Sequence, residues 1–179
     1  MLYFWKDDNS DNLNMKKYII TSLMLLLAVS FWNCEKDDIC SEDTPTTPKL
    51  IIEFYDNANQ TELKNVTNLG IVETSLTEGF AFNAVSTITV PLRTNQDTTT
   101  INFVLNGSDD DATNDISDVI TFNYSRIETY ISRACGYKTT FILNDTDGLV
   151  IPTTNWISSF EIVQPNINNE DETHVKIYF

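Results

Sequence analysis

One acidic loop in the middle of the chain has the residue types and the spacing that could bind a metal ion. Oxygen-bearing side chains alternate along it and could face a single Ca²⁺, a hard cation that takes six to eight oxygen ligands. They are Asp109, Asp111, Thr113 and Asp115. An EF-hand loop needs glycine at its sixth position and glutamate at its twelfth, where this chain has Asn114 and Ile120. We therefore expect a solvated hairpin connection, with a weak calcium site as the alternative.

Groups suited to other chemistry are few. The chain has a single histidine, His174, which we expect to be an edge or partly exposed strand residue rather than a catalytic base. A nucleophile elbow, a phosphate-binding glycine loop and a His-Glu-x-x-His motif are all absent from the sequence. A formal net charge of −15 argues against nucleic acid as a partner. We expect a protein that is not an enzyme and that uses no cofactor.

The N-terminal region has the pattern of an export signal. Lys16 and Lys17 provide a basic start, and an apolar stretch follows over residues 18–31. As a helix this stretch would be about 20 Å long, shorter than a hydrocarbon core of roughly 30 Å. We therefore predict a cleaved signal peptide over residues 15–33. Residues 1–14 carry three acids that a signal does not need, which favours an over-extended start; a natural extension is the alternative.

A cysteine directly follows the apolar stretch. Cys34 in this place resembles the lipoprotein box of bacteria, in which the thiol receives a diacylglyceryl group and the chain is cut before the cysteine. Residues 34–38 (CEKDD) resemble the acidic surface-export tag of Bacteroidota lipoproteins, and an ordinary charged tether is the alternative. Two or three acyl chains give lasting anchorage, since each buried methylene contributes roughly 0.8 kcal/mol. The resemblance implies an outer-membrane protein held by lipid, facing the periplasm or the cell surface.

The other two cysteines form the second predicted covalent feature. If Cys34 is acylated, Cys40 and Cys135 remain, and an oxidising envelope compartment favours a disulfide between them. Two unpaired thiols are the alternative. Gly136 beside Cys135 permits a bulge, so we expect a bulged strand that anchors the disulfide. A recognition patch of tyrosine and arginine is the other interpretation of this segment.

Beyond the anchor the sequence predicts a tether and one folded domain. Residues 34–48 are acidic and rich in threonine and proline, which indicates an extended, semi-stiff tether. Residues 49–179 show alternating strand patterns separated by turn signals, which predict an all-β antiparallel sandwich of about eight strands; a small β-barrel is the alternative. The predicted strands are residues 50–55, 64–73, 86–92, 98–105, 119–131, 137–143, 156–163 and 174–179.

Two segments are similar to a known group of proteins. Residues 34–55 (CEKDDICSEDTPTTPKLIIEFY) and 130–141 (YISRACGYKTTF) look like a family of uncharacterised Bacteroidota lipoproteins, a domain of unknown function. The resemblance implies an envelope location and an all-β domain, and it implies no activity and no site residues.

Two function classes follow. The first is a lipid-anchored binding or assembly accessory, attached to the lipid membrane through acylated Cys34 and contacting an outer-membrane protein, another lipoprotein or a glycan. The second is an envelope hydrolase that acts on glycan or peptide. The first leads, because a sandwich without clustered histidines or metal ligands fits recognition better than catalysis.

Overall fold

An N-terminal helix precedes the β-domain. The computed structural model describes residues 9–30 and 39–179, so the predicted lipidation site Cys34 lies outside the described part. Helix α1 (Asn9–Ser30) includes most of the predicted apolar stretch. Its large apolar side chains from Met15 to Leu27 are more than half exposed. In the described ranges no helix is both long enough and apolar enough to span a membrane.

Two open sheets form the domain. The described residues contain eleven strands: β1 (Leu50–Tyr55), β2 (Leu69–Glu73), β3 (Phe80–Phe82), β4 (Thr87–Val90), β5 (Thr98–Leu105), β6 (Ile116–Ser132), β7 (Gly136–Leu143), β8 (Leu149–Val150), β9 (Ser159–Ile162), β10 (Asn166–Ile167) and β11 (Val175–Tyr178). The small sheet has the order β4-β1-β11-β9, and the large sheet has the order β10-β7-β6-β5-β2-β3 with β8 beside β6. This arrangement confirms the all-β sandwich. The barrel alternative is wrong, since both described sheets end in edge strands.

The core lies between the sheets and follows the predicted alternation. Ile101 and Phe103 on β5 are nearly inaccessible, as are Ile120, Phe122 and Tyr124 on β6. The intervening residues of both strands are more accessible, because successive side chains of a strand point to opposite faces. Burial of each large apolar side chain contributes roughly 1.5–3 kcal/mol.

One strand pair departs from the predicted antiparallel arrangement. β1 and β11 are parallel, with Ile52 beside Val175 and Phe54 beside Ile177, and all four side chains are fully buried. The last predicted strand therefore lies inside the small sheet, between β1 and β9. Parallel pairing needs a long crossover connection, and here the whole large sheet lies between these two strands in sequence.

Three short strands were not predicted. β3 lies in residues 74–84, a segment whose sequence indicates a loop or a partial helical turn. β10 lies in a predicted turn at residues 165–169. β8 and β10 have two residues each, which is too short to show an alternating pattern. β8 pairs with β6 and β10 pairs with β7, and Ile167 of β10 is completely buried.

The prediction that His174 is an edge or partly exposed strand residue is wrong. Its side chain is fully buried, just before β11. The backbone N–H of His174 donates to the Ile51 carbonyl at 3.1 Å, and Nδ1 of His174 accepts from the Ile51 N–H at 2.9 Å. The imidazole thus accepts the hydrogen bond that a neighbouring strand carbonyl would otherwise accept from β1. This role in the sheet explains why His174 is buried although its sequence pattern predicted an edge position.

Candidate binding site

The predicted disulfide is confirmed. Cys40 and Cys135 are bonded, with their Cα atoms 4.9 Å apart. Cys135 lies in the turn between β6 and β7, directly before Gly136, whose φ of 69° suits glycine. The pairing register shifts between Tyr130 and Ser132, which confirms the expected bulge.

The described end of the tether lies against β7. Thr47 Oγ1 accepts a hydrogen bond at 3.0 Å from the backbone N–H of Thr139, which is buried. Pro48 is also buried. The disulfide and this contact together attach residues 40–48 to the domain.

Two carboxylates of the acidic loop, those of Asp109 and Asp111, accept hydrogen bonds from the loop itself. Asp109 Oδ1 accepts from the Asp111 N–H at 2.9 Å, and Asp111 Oδ1 accepts from both the N–H and the hydroxyl of Thr113. These bonds from Thr113 lower the pKa of Asp111. No group of three or more His, Cys, Asp or Glu side chains that could hold a metal ion exists in the described residues.

Asp118 has a different role from the loop that precedes it. It is fully buried on β6, and its carboxylate accepts three backbone hydrogen bonds at 2.7–2.9 Å. The donors are the N–H groups of Asn155, Trp156 and Ile157. A buried carboxylate is tolerated when hydrogen bonds replace its hydration, so Asp118 holds the segment before β9 onto the large sheet.

The strongest candidate for ligand binding is a pocket at one side of the sandwich. It is a cavity of about 240 Å³ between the edge strands β3 and β4, where the two sheets leave the core open. Its floor is formed by buried residues of three separate segments: Ile71, Val90, Leu92, Thr99 and Ile101. Leu76 and Phe80 stand at its rim and are 60% and 58% exposed. We name it the lateral pocket.

An ion pair closes one end of the lateral pocket. Arg93 Nη2 donates to Glu73 Oε2 at 2.5 Å, and the Ser75 hydroxyl contacts both side chains. The hydrogen bond from Arg93, followed by that from Ser75, lowers the pKa of Glu73. Glu73 is therefore ionised at neutral pH and is held beside the Arg93 guanidinium.

Buried polar contacts position the backbone of Arg93. Thr99 Oγ1 accepts a hydrogen bond from the Arg93 N–H at 2.9 Å, and the Tyr124 hydroxyl donates to the Arg93 carbonyl at 2.9 Å. The Thr99 and Tyr124 oxygens are themselves 2.6 Å apart. The segment that follows β4 is therefore fixed in place, so this side of the lateral pocket is preformed.

The lateral pocket is suited to an apolar group of modest size. Its volume lies just below the roughly 300–1,000 Å³ of sites for drug-sized ligands, so it fits one large side chain or a short hydrocarbon segment. Glu78 at the rim forms no ion pair in the described structure, which adds a free negative charge beside the opening. An apolar group next to a cation would match both features.

Sequence reasoning did not predict this pocket or the buried polar residues. Asp118 occupies an inward position two residues before Ile120, so an earlier start of the predicted strand would have placed it in the core. The lateral pocket has no comparable local signal, because its walls come from segments that meet only in the folded domain.

Comparison with known proteins places the domain in a family. Residues 65–179 match the model described as a family of unknown function (DUF6452). The chain belongs to this family. The DUF6452 match includes β2 to β11 and every residue that lines the lateral pocket. A search of curated proteins and a search of solved structures returned no match.

Proposed function

We propose that this DUF6452 protein is a lipid-anchored binding module of a bacterial envelope. The proposed anchor is acylated Cys34 after a signal peptide over residues 15–33, in a lipoprotein of the Bacteroidota type. The exposed apolar side chains of α1 support a segment meant for the export machinery rather than for packing on the domain. The Cys40–Cys135 disulfide supports an oxidising compartment, where such bonds persist.

The lateral pocket is the observation that supports a binding role. Leu76 and Phe80 are both more than half exposed, and they stand over a floor of core residues. Exposed apolar groups beside an open apolar cavity mark recognition sites, because solvent gives them no favourable partner. A ligand that covers them removes this area from water.

The chemistry of the pocket favours a protein partner over a glycan. Sugar hydroxyls need polar groups, whereas the floor of the pocket is largely apolar. A glycan platform would also need coplanar exposed aromatic rings, and the exposed pair Tyr130 and Tyr137 meets at 65°. The partner we propose is an envelope protein that inserts an apolar side chain beside a basic residue, opposite Glu78.

The edge strand β3 gives such a partner a way to bind. β3 pairs with β2 on one side only, and Phe80 is its first residue. An extended segment can add to a free strand edge through main-chain hydrogen bonds while one of its side chains fills a nearby pocket. In this arrangement the partner's backbone supplies affinity and its apolar side chain supplies specificity.

Photocrosslinking in intact cells tests this proposal. A photoreactive phenylalanine analogue replaces Phe80 in one version of the full chain and Phe160 in the other. Phe160 is 38% exposed on β9, the edge strand at the far side of the small sheet, so it is a matched control. We expect a discrete crosslinked envelope protein from position 80 only, and its loss in Leu76→Asp. Equal crosslinking from both positions, or none from position 80, would contradict the proposal.

A further inference from the structure

The end of the β6–β7 hairpin carries a second exposed apolar surface, well separated in sequence from the lateral pocket. Tyr130 and Tyr137 are directly opposite each other in the β6–β7 pair, and their side chains are 54% and 67% exposed. The two tyrosine rings contact each other edge to face, with centroids 5.4 Å apart. We name these two residues the hairpin-end patch. Both tyrosines lie toward the β6–β7 turn, beyond the run of buried residues that ends at Tyr124 on β6.

Covalent links hold the hairpin-end patch close to the proposed anchor. Cys34 precedes Cys40 by six residues in the sequence, so their Cα atoms are at most about 20 Å apart even in a fully extended chain. The disulfide places the Cα atom of Cys40 4.9 Å from that of Cys135, two residues before Tyr137. The patch therefore lies within roughly 30 Å of the acylated residue, whatever path the intervening chain takes.

The side chains of the patch suit a lipid–water interface. Tyrosine has an apolar ring and a polar hydroxyl, and it is enriched where hydrocarbon meets headgroups. The exposed Arg133 lies in the turn between the strands.

Charge argues that such a contact would not depend on anionic lipid. The nearby tether carries five acids and one lysine between positions 35 and 43. These acids outnumber the bases Arg133 and Lys138 of the hairpin end, so the net local charge is negative. Attraction to anionic headgroups would therefore be weak, and apolar burial would have to supply the free energy.

We propose that the hairpin-end patch rests on the lipid surface to which Cys34 is anchored. This inference rests on the proposed acylation of Cys34. The short tether and the disulfide raise the effective concentration of the patch at the membrane, so even a weak interfacial affinity suffices for contact. The contact orients the domain, with the β6–β7 turn toward the membrane.

Hydroxyl-radical footprinting of the acylated full-length protein on vesicles tests this orientation. The vesicles contain phosphatidylethanolamine and phosphatidylcholine, and a second set adds phosphatidylglycerol. The matched variant carries about twenty inserted glycine and serine residues between Asp38 and Ile39. This insertion keeps the lipid anchor and lengthens the chain between the anchor and the disulfide. Oxidation of Tyr130 and Tyr137 is measured relative to Phe80 and Phe160 in the same molecules.

The inference predicts that the relative oxidation rate of Tyr130 and Tyr137 in the natural chain is less than half that in the insertion variant, on both sets of vesicles. Equal rates in the two proteins would overturn it. Protection that appears in native envelopes and not on protein-free vesicles would also overturn it, in favour of a protein contact. The intact mass of the same sample reports acylation: an unmodified Cys34 overturns the proposed anchor, whereas an acylated Cys34 with unprotected tyrosines overturns this inference alone.

Discussion

Arg93 and Glu73 form an ion pair across one end of the lateral pocket, with Nη2 of Arg93 2.5 Å from Oε2 of Glu73. Glu73 ends β2 of the large sheet, and Arg93 follows β4 of the small sheet. The Arg93 side chain is 28% exposed and the Glu73 side chain is 16% exposed, so solvent screens the pair only in part. The contact connects the two sheets at the place where the core is otherwise open.

Replacement of Arg93 by methionine is expected to lower the free energy of unfolding by about 1 kcal/mol at neutral pH, as for a partly exposed ion pair. The pKa of Glu73 is depressed, so its contribution is present above its ordinary value of 4.5 and is lost as the pH falls through its folded value. The difference between the natural protein and Arg93→Met in urea denaturation should therefore shrink in acid. Glu78→Gln removes an unpaired acid of the same rim and should change stability by less than about 0.5 kcal/mol. A difference that is independent of pH would show that the ion pair does not stabilise the fold.

His174 gives the domain a second pH dependence at milder acidity. Burial lowers the pKa of His174, against weaker opposing effects of Glu172 and Glu170. The neutral imidazole fits the fold, because Nδ1 must accept from Ile51, while Nε2 has no hydrogen-bond partner in the described structure. The unfolded chain takes up a proton near its ordinary pKa of 6.5, so stability is complete above that pH and falls below it.

This dependence can be measured by urea denaturation between about pH 7.5 and pH 5.5. Uptake of one proton on unfolding changes the free energy of unfolding by at most about 1.4 kcal/mol per pH unit. His174→Asn is the matched variant, since its amide oxygen can accept from Ile51 and does not titrate. We expect the free energy of unfolding to fall with pH in the natural protein and to stay flatter in the variant. Parallel curves for the two proteins would show that His174 does not titrate on unfolding.

Asp118 should be among the most sensitive positions for stability. Asp118→Asn keeps the shape of the side chain and turns an N–H group toward backbone N–H donors that now bind the carboxylate. We expect a loss of about 3 kcal/mol in the free energy of unfolding. Asp110→Asn changes an exposed acid of the neighbouring loop and should cost less than about 0.5 kcal/mol. Similar midpoints for both variants in thermal denaturation would contradict this role of Asp118.

Two glycines should respond to alanine for different reasons. A Cβ atom at Gly79 would lie 2.0 Å from the Ile71 carbonyl oxygen, so Gly79→Ala must push the segment before β3 away from β2. A Cβ atom at Gly136 would meet nothing within 4 Å, and only its positive φ is unfavourable. We expect losses of about 3 kcal/mol for Gly79→Ala and about 1 kcal/mol for Gly136→Ala by chemical denaturation. The first variant should also lose the crosslink from position 80; an unchanged crosslink would show that the wall of the pocket does not depend on Gly79.

The strands with a clear composition and clear turn signals at their ends could be predicted from the sequence. β1 and β5 have the predicted bounds, because both are rich in apolar and β-branched residues and each is followed by turn residues, Asp56-Asn57 and Asn106-Gly107. The disulfide followed from counting cysteines and from the assumption of an exported chain. The bulge followed from Gly136 beside Cys135. In each case the deciding information lies within a short stretch of sequence or in a count of residues.

The features that depend on distant segments could not be predicted. Ile51 and His174 are 123 positions apart in sequence, so nothing near the histidine indicates that its ring completes the pairing of β1. The lateral pocket depends on where two edge strands end relative to each other, and its floor looks like ordinary core in the sequence. Exposure of Leu76 and Phe80 likewise follows from the absence of a covering strand among the described residues, not from their residue types.

The intact mass of the protein purified from cell envelopes is the most direct test of the account, since the binding proposal and the membrane contact both assume the anchor. We expect a chain that begins at Cys34, carries a diacylglyceryl group on that cysteine and retains the Cys40–Cys135 disulfide. Cys34→Ala should retain residues before position 34 and lack the lipid. A purified natural protein that keeps the α1 segment and carries no acyl group would contradict the account.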